Sequence, residues 1–484
     1  MFQKQKIAMR LSKRIQRAGA QIGLVIALFL GGGNTFAQIS AAEIRQLAQP
    51  YTQSGQVVGM TIGVLYRSEP VVVGVGKLGR QDPRTPDGDT VYEIGSLTKV
   101  LTGVLLADAV TRGEITLDTT LAELGWVATP GPRKHGGPRK DQRPGAITLR
   151  QLATHTSGLP RLPQNLALTD LKNPYATYTL ADLKHAVAKV HLENLPGDQA
   201  SYSNLGLGLL GDALAEKAGG RYAEVLAERV FKPLGMSDSA VVATPAMQER
   251  LAAPHTSGGE PSSFWDFQAL AGAGGVKSTA NDVLKLVAAS LAPENVSLGP
   301  ALALAWRVHQ TPLKEGDLAS GLGWFVAQDG QTRWHNGQTG GFYSIVLANR
   351  ELDIAVVVLA NTATSEVETL ANDVLLATLG IPVEPREFPQ GAEVPVAHLD
   401  RLVGEYKIGN RFIFTVTRRE QQLFVQLTGQ PALLLLLDSP MLWRYRDIEN
   451  AAVRFDVDDQ GQVASLTLLQ HGIEQTALRV GDVE

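Results

Sequence analysis

The chain contains no cysteine. Disulfides, thiolate zinc sites, a cysteine nucleophile and a lipidated N-terminal cysteine are all excluded, so stability must come from core burial. Metal-ligand spacing is missing too: the nine histidines are scattered and no His-x-x-x-His pair occurs. No metal and no other cofactor is expected. No internal repeat is present. The apolar run Ile22 to Leu30 falls well short of the ~20 residues that span a bilayer. Residues 1–37 hold no acidic residue, yet carry Lys4, Lys6, Arg10, Lys13, Arg14 and Arg17 ahead of that run, and end Gly31-Gly32-Gly33-Asn34-Thr35-Phe36-Ala37. This is the layout of a secretory signal. Cleavage is expected after Ala37, leaving a periplasmic or secreted protein with no stable membrane span. Losing six basic residues takes the formal net charge from -4 to about -10, which argues against general nucleic-acid binding.

What remains is the composition of a soluble globular protein, 44% hydrophobic and 19% charged, in a chain of 484 residues. That length suggests two domains. Residues 39 to 53 suggest a helix, and Val57–Leu65 with Val71–Lys77 suggest a hairpin. The stretch Val91-Tyr92-Glu93-Ile94-Gly95-Ser96-Leu97-Thr98-Lys99 then runs from an extended segment into an apolar helix ending near Gly113. Residues three apart share a helix face, so the Ser96 hydroxyl and the Lys99 amine come within reach, a nucleophile beside a base. A Pro- and Gly-rich basic loop, Gly131 to Pro144, reads as a solvated insertion. In Thr148–Pro160, a short helix capped by Thr148 precedes His155. His155 is either a catalytic base or a buried histidine bonded to loop backbone, and the second reading is preferred.

Two further stretches carry chemistry. Pro196-Gly197 precedes Tyr202-Ser203-Asn204 at the start of an apolar helix. A tyrosine hydroxyl beside a lysine ammonium is drawn towards its ionised form and can shuttle protons; the bland alternative is a core tyrosine. Trp334-His335-Asn336-Gly337-Gln338-Thr339-Gly340-Gly341 is a glycine-rich strand start, leading into a β-run paired with Asp353–Ala360. Its glycines admit a substrate backbone close to the strand edge, where His335 can meet a carboxylate or carbonyl. The glycines of Ala271–Asp282 imply close backbone approach, and Val276-Lys277-Ser278 breaks the phosphate-loop pattern, so nucleotide binding is rejected. After the proline-rich segment Val383–Pro395, short β-like runs (Phe412–Thr417, Leu423–Thr428, Ala432–Leu437, Met441–Tyr445, Ala452–Val457 and Val463–Gln470) suggest a small antiparallel sheet or barrel.

Ser96-Leu97-Thr98-Lys99, Tyr202-Ser203-Asn204 and His335-Asn336-Gly337, in that order, resemble the three motifs of the serine β-lactamase and penicillin-recognising D,D-peptidase superfamily. The likeness is to its class C β-lactamase and D-alanyl-D-alanine carboxypeptidase branch, and extends to Thr154–Leu159 and Pro233-Leu234-Gly235-Met236. It implies an α/β (α+β) fold: a β-lactamase/transpeptidase-like antiparallel sheet flanked by helices, a helical subdomain, and a small C-terminal β-barrel-like domain. The expected plan is a signal peptide (1–37), a serine hydrolase domain (38–382), a linker (383–396) and a β-rich accessory domain (397–484). It also implies that Ser96 forms an acyl-enzyme while Lys99 and Tyr202 move its proton. Asn204 would bind a substrate amide, and the backbone N–H groups of Ser96 and Gln338 would hold the oxyanion, with His335 and Gly337 at the substrate edge. The substrate would be a small molecule or peptide of D-Ala-D-Ala or β-lactam type, with peptidoglycan as a candidate partner. A carboxylesterase using the same residues, and a penicillin- or peptidoglycan-binding protein with little turnover, are the alternatives. Class C enzymes usually carry Lys-Thr-Gly where this chain has His335-Asn336-Gly337. If a protonated His335 binds a substrate carboxylate, KM should rise above pH ~7.

Overall fold

The computed structural model describes residues 39–127, 144–167, 170, 172–388, 394–409, 412–419, 421–430, 432–446, 448, 451–470 and 473–481. The expected signal segment, the basic loop up to Arg143 and the middle of the proline-rich segment (389–393) lie outside these. The chain forms two compact units. The first is drawn from residues up to Pro385 and the second from Arg386 onward, with Gln53–Gln56 and Ser257–Glu260 grouped with the second.

The first unit is built on a seven-stranded sheet whose order is β2-β1-β9-β8-β7-β6-β5. Its strands are β1 (Gly59–Tyr66), β2 (Glu69–Gly76), β5 (Ala319–Ser320), β6 (Phe325–Val326), β7 (Arg333–Gln338), β8 (Tyr343–Asn349) and β9 (Ile354–Ala360). Every pairing is antiparallel. β3 (Val91–Glu93) and β4 (Lys277–Thr279) form a separate pair. The β1–β2 hairpin turns through Arg67 and Ser68, both with positive φ, the twist that a two-residue hairpin loop requires. β1, β8 and β9 are buried along their whole length. Continuous runs such as Ile354-Ala355-Val356-Val357-Val358-Leu359 suit a strand covered on both faces.

Helices α1 (Ala41–Gln53), α2 (Thr98–Thr111), α3 (Leu149–Ala153), α4 (Asn204–Lys217), α5 (Ala280–Leu291) and α6 (Glu366–Thr378) accompany the sheet. α5 and α6 pack on β9, α5 also on β1 and α6 on β8, while α2 and α4 pack together in the helical part. Thr98 through Ala109 are all buried, so α2 is apolar all round, as a helix enclosed by protein should be. Thr148 makes a capping box with Gln151 at α3, and Thr279 caps α5 through the Asp282 N–H. Beyond α4 a short α-helix, Tyr222–Leu226, is continued by a π-turn over Ala227–Phe231.

The second unit begins with α7 (Val396–Leu402) and closes eight strands into a barrel, β10 (Gly404–Ile408), β11 (Phe412–Arg419), β12 (Gln422–Leu427), β13 (Leu433–Ser439), β14 (Leu442–Tyr445), β15 (Ala451–Val457), β16 (Val463–Gln470) and β17 (Ile473–Gly481). β10 pairs with β17 to complete the ring. Its interior is packed by Tyr406, Phe414, Val416, Val453, Phe455 and Leu466, among others.

Candidate active site

Ser96 lies in a 3-10 turn, Gly95–Leu97, between β3 and α2. Two neighbouring segments fix this turn through three hydrogen bonds. The Ser344 hydroxyl on β8 donates to the Ile94 carbonyl (2.8 Å), the Ile94 N–H donates to Val276 O (3.1 Å), and the Val276 N–H donates to the Thr98 hydroxyl (3.1 Å). Gly95 has φ +49, and a Cβ there would lie 2.7 Å from the Gln338 nitrogen; a Cβ on Gly337 would lie 2.0 Å from Ile94 O and 2.8 Å from the Ser96 nitrogen. Only glycine permits the edge of β7 to approach the serine turn this closely. The two amides named above as oxyanion donors therefore lie on adjoining backbone.

Lys99, the second residue of α2, is completely buried. Its Nζ lies 3.0 Å from Ser96 Oγ, 2.9 Å from Asn204 Oδ1 and 2.6 Å from Ala273 O. Burial holds the amine well below the usual lysine range, and the nearby Arg161 charge pushes the same way. Tyr202 bonds to the Ser96 hydroxyl, yet burial outweighs that bond and pushes the phenol up to about 12. Both directions run against a Tyr202 ionised by a neighbouring ammonium. Burial acts against charge on both groups, favouring the free amine of Lys99 and the protonated phenol of Tyr202.

Tyr202 precedes Ser203, the N-cap of α4, whose hydroxyl accepts from the Gly206 N–H (2.9 Å) and donates to Pro160 O (2.7 Å). Asn204 faces the site at the first position of α4. Besides accepting from Lys99, it hydrogen-bonds Tyr175. His155 is the loop histidine of the preferred reading: its Nδ1 accepts the Ser203 N–H (3.1 Å) and its ring packs on Tyr202.

His335 is buried on β7 and donates from Nδ1 to the Asn336 carbonyl (2.5 Å). Burial, reinforced by Lys99, pushes it down to about 3. Burial thus disfavours the protonated ring that a carboxylate anchor at His335 would need. Its Nε2 is buried without a hydrogen-bond partner among the described residues. With Nδ1 protonated, that atom is a free acceptor. The next side chain, Asn336, donates to the Tyr343 hydroxyl (2.9 Å) and to Glu368 Oε1 on α6 (2.6 Å), and the Tyr343 hydroxyl also donates to Glu368. Gln338 is exposed at the end of the strand.

Arg161, Tyr175, Tyr343 and Glu368 are the site neighbours that sequence reasoning missed. Only Arg161 had a signal, as the first residue after the Gly158-Leu159-Pro160 segment. Among the described residues no group of three or more His, Asp or Glu could hold a metal ion.

A serine held against a buried lysine and a buried tyrosine, on an antiparallel sheet beside a helical part, has the architecture of a serine β-lactamase-type hydrolase. The beta-lactamase family model matches residues 44–379, and the chain belongs to this family. It is 31% identical over 228 residues to the D-alanyl-D-alanine-carboxypeptidase/endopeptidase AmpH of Escherichia coli K12, covering 47% of this chain and 56% of that protein. It is 29% identical over 294 residues to a beta-lactamase of the same organism, covering 58% and 69%. The chain thus spans little more than half the length of AmpH. The fold matches the crystal structures of a beta-lactamase from Sulfitobacter sp. EE-36 (TM-score 0.59, 22% identity) and of a class C beta lactamase from Rhodobacter sphaeroides (TM-score 0.57, 21% identity). Each covers 70% of this chain and 99% of the other.

Proposed function

We propose that the protein is an exported serine hydrolase that works through an acyl-enzyme on Ser96 and cleaves D-Ala-D-Ala-type peptides or related amides, β-lactams included. The observation that carries this reading is the Lys99 amine, wholly buried and 3.0 Å from Ser96 Oγ. A desolvated amine is a competent base at neutral pH. Lys99 takes the Ser96 proton as Oγ bonds to the substrate carbonyl carbon, and Tyr202, protonated and bonded to the same hydroxyl, passes its proton to the leaving nitrogen as the C–N bond breaks and recovers one from the Lys99 ammonium. The Ser96 and Gln338 N–H groups hold the oxyanion; loss of one such donor typically costs about 3 kcal/mol, or roughly 100-fold in rate. Asn204, His335 and Gly337 border the substrate, and water then releases the acid from Ser96. The names of the two Escherichia coli relatives support the choice of amide substrates.

In this reading residues 1–37 are removed on export and the hydrolase domain spans 38–382, with the linker 383–396 ahead of the β-rich domain 397–484. No helix among the described residues is long and apolar enough to cross a membrane, and N-terminal sequencing of the exported protein should begin at Gln38. The activity is tested by intact mass after exposure to penicillin and by turnover of nitrocefin, a D-Ala-D-Ala peptide and p-nitrophenyl butyrate. Wild type should gain the penicilloyl mass and Ser96→Ala should not. Rapid ester cleavage without peptide or lactam turnover would replace this reading by a carboxylesterase.

A further inference from the structure

Recognition of a D-Ala-D-Ala terminus or of a penicillin needs a cation for its carboxylate, and the third motif does not supply one. His335 is neutral and buried, and Glu368 places an acidic side chain against the neighbouring Asn336. Lys99 is equally unsuited, since its amine is enclosed and already faces Ser96, Asn204 and the Ala273 carbonyl. Lys277 is buried beside Glu93, 3.6 Å away.

Arg161 differs from all of these. Its main chain is clamped to the catalytic stretch, because its carbonyl accepts the N–H groups of Asn204 (2.9 Å) and Leu205 (3.2 Å) and the preceding carbonyl, of Pro160, accepts the Ser203 hydroxyl. Its side chain is exposed, with the guanidinium carbon 5.1 Å from the centre of the Tyr202 ring, the same ring that lies over the Lys99 amine at 4.8 Å. Among the described residues it forms no ion pair, and its charge is felt at Lys99, His155, Tyr175 and Tyr202. A planar guanidinium on an anchored backbone, open to solvent at the rim of the nucleophile's site, is well suited to bidentate contact with a carboxylate.

We propose that Arg161 is the specificity residue for the substrate's carboxylate, gripping the anionic end of the acyl donor from above Tyr202 in place of a cation on β7. This deepens, and rests on, the reading of Ser96 as the nucleophile. Its test is therefore made by equilibrium binding, with no turnover required.

In the full chain carrying Ser96→Ala, calorimetric binding of acetyl-D-Ala-D-Ala is compared with that of its C-terminal amide, with and without Arg161→Gln or Arg161→Lys. The parent should bind the acid about tenfold or more tightly than the amide, with an advantage that shrinks at high salt because an exposed charge is screened. Arg161→Gln should bind the two forms equally, and Arg161→Lys should keep part of the preference. The proposal is overturned if the parent has no preference for the acid, if neither peptide binds, or if Arg161→Gln keeps the full preference. Failure of the nucleophile reading shows separately, as a missing penicilloyl adduct on the chain with Ser96 intact.

Discussion

The ring of His155 lies 4.4 Å, centre to centre, from the ring of Tyr202. His155 also receives the N–H of Ser203 on Nδ1 and that of Ser201 on its own carbonyl (2.8 Å), so it holds the backbone on both sides of Tyr202. Its φ of 60 is left-handed, a conformation that histidine and asparagine adopt more readily than most residues. His155→Ala leaves a buried N–H without an acceptor, which should cost about 1–3 kcal/mol of stability. The looser tyrosine should slow acylation of Ser96 by about tenfold. His155→Asn should retain more of both. Stopped-flow acylation and thermal melts decide it: an unchanged acylation rate in the alanine variant would remove His155 from any positioning role.

Lys99 and Tyr202 set the pH profile. A lysine lowered by burial is neutral above its lowered value, so acylation should climb as Lys99 loses its proton and level off below the range of an ordinary lysine. Tyr202 keeps its proton until about 12 and adds no step in that range. Lys99→Arg, which cannot lose its proton, should acylate at least about 100-fold more slowly. A rate still rising tenfold per pH unit at pH 10 would mean that Lys99 is an ordinary ammonium.

His335 carries the opposite expectation from that drawn from its residue type. With its folded value at about 3, the ring does not titrate between pH 5 and 9, so KM should be flat over that range. Stability shows the titration instead. The unfolded histidine takes up a proton near ~6.5 and the folded one does not. The contribution is therefore fully present above that pH and is lost as pH falls towards the folded value. His155, also lowered by burial, acts with the same sign. His335→Gln should lose less melting temperature than wild type between pH 7 and 4; equal losses would place a charged, solvated ring at this position.

The three stretches that build the site are legible because each couples a reactive residue type to a local signal: the Ser96–Lys99 spacing at a helix start, the Pro-Gly turn before Tyr202, the glycines around His335. Glu368 and Tyr175 carry no such signal. They reach the site through packing alone, Glu368 from a helix 32 residues beyond Asn336. Titration is equally hidden, since burial shifts Lys99, Tyr202 and His335, and residue spacing does not report burial. The barrel shows the same limit. Six of its strands stand out as short β-rich runs between turns, but β17 leaves Ile473, Leu478 and Val480 exposed and β10 is five residues long. Closure depends on those two ends meeting, a long-range event with no local pattern.

Gly337 gives the sharpest test of how the sheet edge serves the nucleophile. Its Cα faces the serine turn so closely that an added methyl would sit 2.0 Å from Ile94 O, and it would also crowd Ser344 Oγ at 2.6 Å, the hydroxyl that pins Ile94. Backbone is met on one side and a buried hydroxyl on the other, so relief requires β7 to move away from Gly95–Leu97. That movement separates the Ser96 and Gln338 N–H groups, the proposed oxyanion donors, whose joint grip would need positions good to a few tenths of an ångström. Gly337→Ala should therefore lower kcat/KM for every acyl donor, nitrocefin and ester alike, by about 100-fold. Overpacking should also cost about 1–3 kcal/mol in stability. Because the defect lies in the oxyanion donors and not in proton transfer, the shape of the pH profile should be unchanged. A variant that keeps wild-type acylation rates, or loses rate only through a shifted pH profile, would show that the Gly337 edge does not form the oxyanion site.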